Sequence, residues 1–368
     1  MKKLTMLLAM ATLSLTAMAQ TDFRHISFAE AQKAAEKEKK LIFVDFYTSW
    51  CVPCKIMINT VFPQKAVGDF MNDRFVCVKY DAEKEEADLV KSSKIKVYPT
   101  FVIFNADGTE VNRKMGGGSA ESFIADIDRL CKADFAPEKV RERYNNGERT
   151  PNLIKAYVAL LAQEGATSYE KHKEMKNQIA SVTKKYFEGL NDKQRLSADN
   201  FFLYRSHCDD TADEKMQYLF ANRDKVSKSL RADVDSILTQ AYTREAAIIL
   251  NFYKPFDPSA YARFRQQAVT LDAFQKPFYQ GCLEVCDAYA SGDMSKYIDA
   301  VEKNMTTKCK DDKFTLLNGM GTALSKADPA LKLRAADLIR NSLNDMPGSK
   351  IYVLGKAIME LEKTTDSH

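Results

Sequence analysis

The stretch Trp50-Cys51-Val52-Pro53-Cys54-Lys55 constrains this chain more than any other. Before it runs Leu41-Ile42-Phe43-Val44-Asp45-Phe46-Tyr47, whose β-branched and aromatic content reads as a buried strand. After it, residues 52–62 read as a helix stopped by Pro63. Two cysteines separated by two residues at a strand-to-helix junction have a physical use. The first sulfur meets unpaired N–H groups and the positive end of the helix dipole, which favour a thiolate. The second lies within reach, so a mixed disulfide formed by the first can be resolved inside the protein. Such pairs also serve zinc, but a structural zinc site usually needs four ligands. The sequence offers neither a second CxxC nor a suitably spaced Cys/His pair. The expectation is therefore a redox pair with no metal and no cofactor, since both reacting sulfurs belong to the chain.

Residues 1–19 read as a secretory signal. Lys2 and Lys3 give the positive end, the apolar run from Leu4 to Leu15 is too short to span a bilayer comfortably, and Ala17-Met18-Ala19 is an A-x-A cleavage box. The expected product is exported, does not span the membrane once processed, and works in a bacterial periplasm. About 350 remaining residues suggest two domains. With 45% hydrophobic and 28% charged residues and a net charge of +4, the chain is ordinarily globular. Acidic and basic residues are mixed throughout, which leaves no footprint for nucleic acid.

Secondary-structure signals divide the chain. An amphipathic helix over 24–40, entered at Ser27 with Glu30 three residues on, is followed by strands at 41–47, 75–80, 101–105 and 110–115. Helices are expected at 66–72, 83–92 and 119–132. Beyond Phe135-Ala136-Pro137 the strand signals stop, and helices follow one another, among them 151–163, 168–187, 192–206, 231–251 and 275–291. The expected domains are 20–134, α/β, and 135–368, all-helical, with short links like those of paired-helix, tetratricopeptide-like solenoids.

The run Val44 to Lys55 resembles the active-site strand and turn of thioredoxins. Val97-Tyr98-Pro99-Thr100-Phe101 is similar to that family's cis-proline loop, Asn105 to Glu110 to its next hairpin, and Gly116-Gly117 to the glycines after its last strand. The resemblance covers about residues 23–132, where the motifs keep the family's order. It implies a thioredoxin fold, a mixed sheet covered by helices on both sides. Cys51 is then the exposed nucleophile and Cys54 the deeper resolving thiol. Asp45 is implied to be the buried acid assisting Cys54, with burial raising its pKa. Pro99 is implied to be cis, its loop meeting the substrate chain, and Trp50 and Tyr98 to border the substrate. The family often adds a lysine near the acid; here the matching strand position is read as Cys77.

Cys51-Val52-x-Cys54-Lys55, Thr60-Val61-Phe62, Val67 and Asp81 together resemble the C-terminal periplasmic domain of the transmembrane reductant conduit DsbD. That resemblance implies reduction of protein disulfides, with electrons from a membrane donor of the DsbD type. Two alternatives stay open: a disulfide isomerase whose helical half binds clients, and a helical interaction module in which the CxxC is a structural disulfide. Of the remaining cysteines, Cys77 and Cys131 are expected as buried thiols. Cys282 and Cys286 share a helix face; they are expected as buried thiols, the alternative being that one of them pairs with Cys309 or Cys208.

Overall fold

The computed structural model describes residues 20–344 and 346–363, so the expected secretory segment lies outside the described residues. A five-stranded sheet runs in the order β1-β3-β2-β4-β5. Its strands are β1 (Phe23–Arg24), β2 (Leu41–Tyr47), β3 (Phe75–Asp81), β4 (Thr100–Phe104) and β5 (Glu110–Met115). The central β2 pairs parallel with β3 and antiparallel with β4. This is the mixed sheet of the thioredoxin fold. Helices α1 (Phe28–Glu38), α2 (Val52–Ile56), α3 (Lys65–Arg74), α4 (Ala87–Ser92) and α5 (Ala120–Leu130) cover it.

Strand alternation sorts the residues into two apolar layers. Phe43, Phe75, Cys77, Phe101 and Ile103 point to one face, where Met57, Val61 and Phe62 meet Val67 and Met71 of α3 and Phe123 and Ile127 of α5. Ile42, Val44, Phe46, Val76, Val78 and Val102 point to the other, against Ala31 and Ala35 of α1. The CxxC helix is thus anchored by its own C-terminal extension in the aromatic layer.

Three expectations are corrected. The first helix starts at Phe28, not at 24, because Phe23 and Arg24 add a parallel edge strand to β3. Its Ser27–Glu30 capping box forms as read. The helix expected from 83 begins only at Ala87. Asp81 holds the intervening residues in a turn, its carbonyl accepting from the N–H groups of Lys84 and Glu85 and its carboxylate from that of Glu83. Helix 52–62 is α-helical only to Ile56, and Met57–Val61 form a π turn. There the Thr60 hydroxyl donates to the Ile56 carbonyl at 2.7 Å, and Phe62 N–H reaches back to Met57 O at 3.0 Å.

The chain forms two compact units, the first ending at Gly189 and the second beginning at Leu190. Among the described residues no strand follows Met115, and the first unit also takes in α6 (Pro137–Asn145), α7 (Pro151–Gly165) and α8 (Tyr169–Glu188). Specific bonds tie α7 and the turn before α6 to the sheet. Gln163 Nε2 donates to the Arg113 carbonyl of the edge strand β5, and Asn112 Nδ2 to Phe135 O at 2.8 Å. The second unit is helical, with long helices Arg231–Leu250, Pro258–Ala268, Pro277–Ala290, Met294–Thr306, Pro329–Arg340 and Gly348–Glu362. The helix expected over 192–206 is broken into short turns around Asn200. The Asn200 side chain is buried and donates to the Gln194 carbonyl, a local bond that competes with helix continuation. No helix among the described residues is long and apolar enough to cross a membrane.

Candidate active site

Cys51 and Cys54 are joined in a disulfide. Cys51 is the N-cap of α2, and its Sγ accepts the backbone N–H of Cys54 at 3.1 Å. Pro53 occupies the first turn, where a missing N–H costs nothing. This fixed donor is the group that would hold a Cys51 thiolate after reduction. The expectation of an exposed Cys51 is corrected: it is 3% exposed and Cys54 1%. The exposed positions are its neighbours, Trp50 at 62% and Val52 at 64%.

Asp45 lies on β2 on the same sheet face as Phe43, with Phe101 opposite it on β4. That layer also contains Met57, three residues after Cys54. The Asp45 side chain is buried, and its Oδ1 has no hydrogen-bond partner among the described residues. Burial pushes its carboxyl pKa up to about 7, and the positive charge of Lys79 opposes that rise. A carboxyl that titrates near neutrality can take and return a proton.

The Tyr98–Pro99 peptide bond is cis. The loop is pinned by Gly116 N–H to Pro99 O at 2.9 Å and by Thr100 Oγ1 to Val97 O at 2.7 Å. Gly116 has φ +76°, which glycine adopts without strain. Among the described residues the Tyr98 N–H and C=O make no hydrogen bond, so both are open to an added strand. Tyr98 stands edge-on to Trp50, ring centroids 5.9 Å apart, and Trp50 Nε1 donates to Glu83 Oε1 at 3.0 Å.

Residues 28–130 match the family model described as a thioredoxin-like domain. Thioredoxin H3 of Arabidopsis thaliana is 32% identical over 103 residues, which are 28% of this chain and 80% of that protein. The chain belongs to the thioredoxin-like family. Chloroplastic thioredoxin Y of Oryza sativa subsp. japonica is 32% identical over 118 residues, 32% of this chain and 64% of that one. The chain spans between half and two thirds of the first curated relatives it matches. Two solved structures are similar. A candidate disulphide-isomerase of Bacteroides thetaiotaomicron has 38% identity, covers 31% of this chain and 96% of that one, and gives a TM-score of 0.30. The oxidised C-terminal domain of DsbD from Neisseria meningitidis has 25% identity, covers 28% and 90%, and gives a TM-score of 0.25.

In this thioredoxin-like site the structure brings Cys51 and Cys54 together, and places Trp50 against Tyr98 beside Pro99. It also corrects the position of the lysine. Cys77 faces Phe43, whereas Lys79 is the register partner of Asp45 on β3. The sequence carried the sign, a charge interrupting the apolar strand two residues past Cys77, on the same face. Glu83 and the exposed Val52, Ile56 and Val97 were also not singled out as site residues. Replacing Lys79 by Met should raise the Asp45 carboxyl midpoint further above 7, followed by carboxyl carbon resonance shifts against pH. An unchanged midpoint would show that Lys79 exerts no field on Asp45. Burial pushes the Cys77 thiol up to about 12, and Cys131, only half-buried where a buried thiol is expected, is raised to about 11; neither suits a nucleophile.

Proposed function

We propose that this chain is an exported thiol–disulfide oxidoreductase that reduces protein disulfides. The observation that carries it is the Cys51 sulfur held by the Cys54 amide at a helix start, after a strand whose buried Asp45 carboxyl is pushed up to about 7. Cys51 thiolate attacks one sulfur of a client disulfide, giving a mixed disulfide and releasing the other client sulfur as a thiolate. Cys54 then loses its proton toward Asp45 and attacks Cys51 Sγ. The second client thiol leaves, and the Cys51–Cys54 disulfide remains. Each turnover moves two electrons to the client, and a donor must restore the dithiol.

The client is held as an extended segment along Tyr98, whose backbone groups are unpaired, on a collar of exposed apolar side chains. Val52 and Ile56 lie one helical turn apart, 64% and 54% exposed, beside Trp50. Ile56→Gln should lower kcat/KM for a protein disulfide about tenfold, the equivalent of ~1.4 kcal/mol of lost apolar contact. The same variant should leave the rate with a small aromatic disulfide reagent unchanged. Equal losses on both substrates would remove the docking role.

Export rests on Lys2, Lys3, the apolar run after them and Ala17-Met18-Ala19; the reducing direction and a membrane donor of the DsbD type rest on the motifs around Cys51. Pro53 between the cysteines leans the same way. Potentials in the family run from about −270 mV for thioredoxin to about −120 mV for the oxidant DsbA. Equilibration with glutathione should give a value in the lower half of that span, and one above about −150 mV would make the protein an oxidant.

A second reading, a structural CxxC staple beside a helical interaction module, draws on the burial of both sulfurs. Insulin precipitation with dithiothreitol separates the two. The oxidoreductase accelerates precipitation catalytically, whereas a staple leaves the rate of dithiothreitol alone.

A further inference from the structure

We propose that Cys282 and Cys309 form a second dithiol, which a low-molecular-weight disulfide such as glutathione disulfide converts into an intrachain disulfide. Cys282 lies on helix Pro277–Ala290, and Cys309 in the turn after helix Met294–Thr306. Both are buried. Cys309 N–H bonds back to Asn304 O at 2.8 Å, which folds the turn onto the neighbouring helix. Cys309 Sγ donates to Phe278 O at 3.4 Å, in the first turn of the helix that carries Cys282. It lies 2.7 Å from where a Cβ on residue 281 would be, so Gly281 is what lets the sulfur reach the helix backbone. These contacts seat the Cys309 sulfur on the helix beside Gly281, one residue from Cys282.

The turn is clamped in this position. Lys303 and Lys308 both pair with Glu284, two residues beyond Cys282, and Asn304 Nδ2 donates to the same carboxylate at 3.2 Å. The other cysteines of the unit are engaged elsewhere. Cys286 lines an apolar cavity with Phe252, Phe256, Tyr289 and Tyr297, and Cys208 Sγ donates to Leu203 O at 3.5 Å. The sequence left the pairing of these four open, and the fold places one pair in register.

The neighbouring Cys282 thiol, helped by the charge of Lys308, eases deprotonation of Cys309 against burial and the Asp312 and Glu284 charges, while Cys282 holds its proton more tightly. Cys309 is therefore the attacking thiolate. It bonds to one sulfur of glutathione disulfide and expels one glutathione thiolate. Cys282 then gives up its proton and attacks Cys309 Sγ, expelling the second glutathione. Two protein thiols become one disulfide, and one glutathione disulfide becomes two glutathiones. Because both sulfurs are buried, the exchange waits on opening of the turn and should lag behind closure of Cys51–Cys54.

The test is peptide mapping of the full-length, fully reduced protein after exposure to glutathione disulfide without denaturant, remaining thiols being alkylated. The expected result is a slowly formed cross-link joining the peptide with Cys282 and Cys286 to the peptide with Cys309, its fragment ions placing the bond on Cys282. It should form equally in a Cys51→Ser/Cys54→Ser variant, so its outcome is independent of the proposed reductase activity. Alkylation of both Cys282 and Cys309 after prolonged exposure would overturn the proposal. So would a cross-link through Cys286, or two stable glutathione adducts.

Discussion

Asp45→Asn should make the folded protein more stable at alkaline pH and leave it little changed in acid. The unfolded carboxyl titrates near 3.8, while burial moves the folded one to about 7. Between those values the folded state keeps a proton that the unfolded state has lost, so stability falls as pH rises and levels off above the folded midpoint. At 1.36 kcal/mol per pH unit, the displacement amounts to at most ~4 kcal/mol. The amide cannot ionise, so the variant escapes this loss. Denaturant unfolding at about pH 8.5 should show a gain of up to ~4 kcal/mol, vanishing near pH 4. The same substitution removes the proton acceptor for Cys54. Release of the mixed disulfide should slow by roughly 10²-fold near neutral pH, within the usual range for a lost general base. A gain in stability that did not depend on pH would mean that Asp45 is not buried as a titrating acid.

Cys51→Ser should reduce insulin turnover to the rate of dithiothreitol alone, because a serine hydroxyl is not ionised at neutral pH and forms no disulfide. Cys54→Ser should behave differently. Its first step is intact, so the protein should consume one equivalent of client disulfide and stop as a mixed disulfide at Cys51, visible as an added mass. The asymmetry follows from geometry, since it is Cys51 Sγ that accepts the amide hydrogen bond. If Cys54→Ser retained multiple turnovers, or if the adduct formed on Cys54 in Cys51→Ser at the same rate, the two roles would have to be exchanged.

The sheet and the redox pair were legible because local chemistry encodes them. The Leu41–Tyr47 run, the cysteine spacing, Pro53 at the helix start and the Ser27–Glu30 box each act within a few residues. What was missed depends on contacts between distant segments. The Asp45–Lys79 pairing depends on the register between two parallel strands, and a shift of two residues keeps the same sheet face, so alternation alone does not distinguish Lys79 from Cys77. Glu83 meets Trp50 from a turn set by Asp81, and nothing near either residue marks the contact. The edge strand at Phe23–Arg24 is two residues long and takes its identity from β3 rather than from its own composition. In the helical half, periodicity identifies helices but not which faces meet, and so it could not join Cys282 to Cys309.

The account stands on a sulfur whose ionisation is favoured by a backbone donor. The most direct measurement is the rate of iodoacetamide modification of Cys51 in the reduced protein against pH, read by mass spectrometry. The predicted curve has its midpoint at least about one pH unit below the ordinary thiol value of about 8.5, with Cys54 reacting far more slowly. A midpoint at or above that value, or equal reaction of the two cysteines, would contradict it.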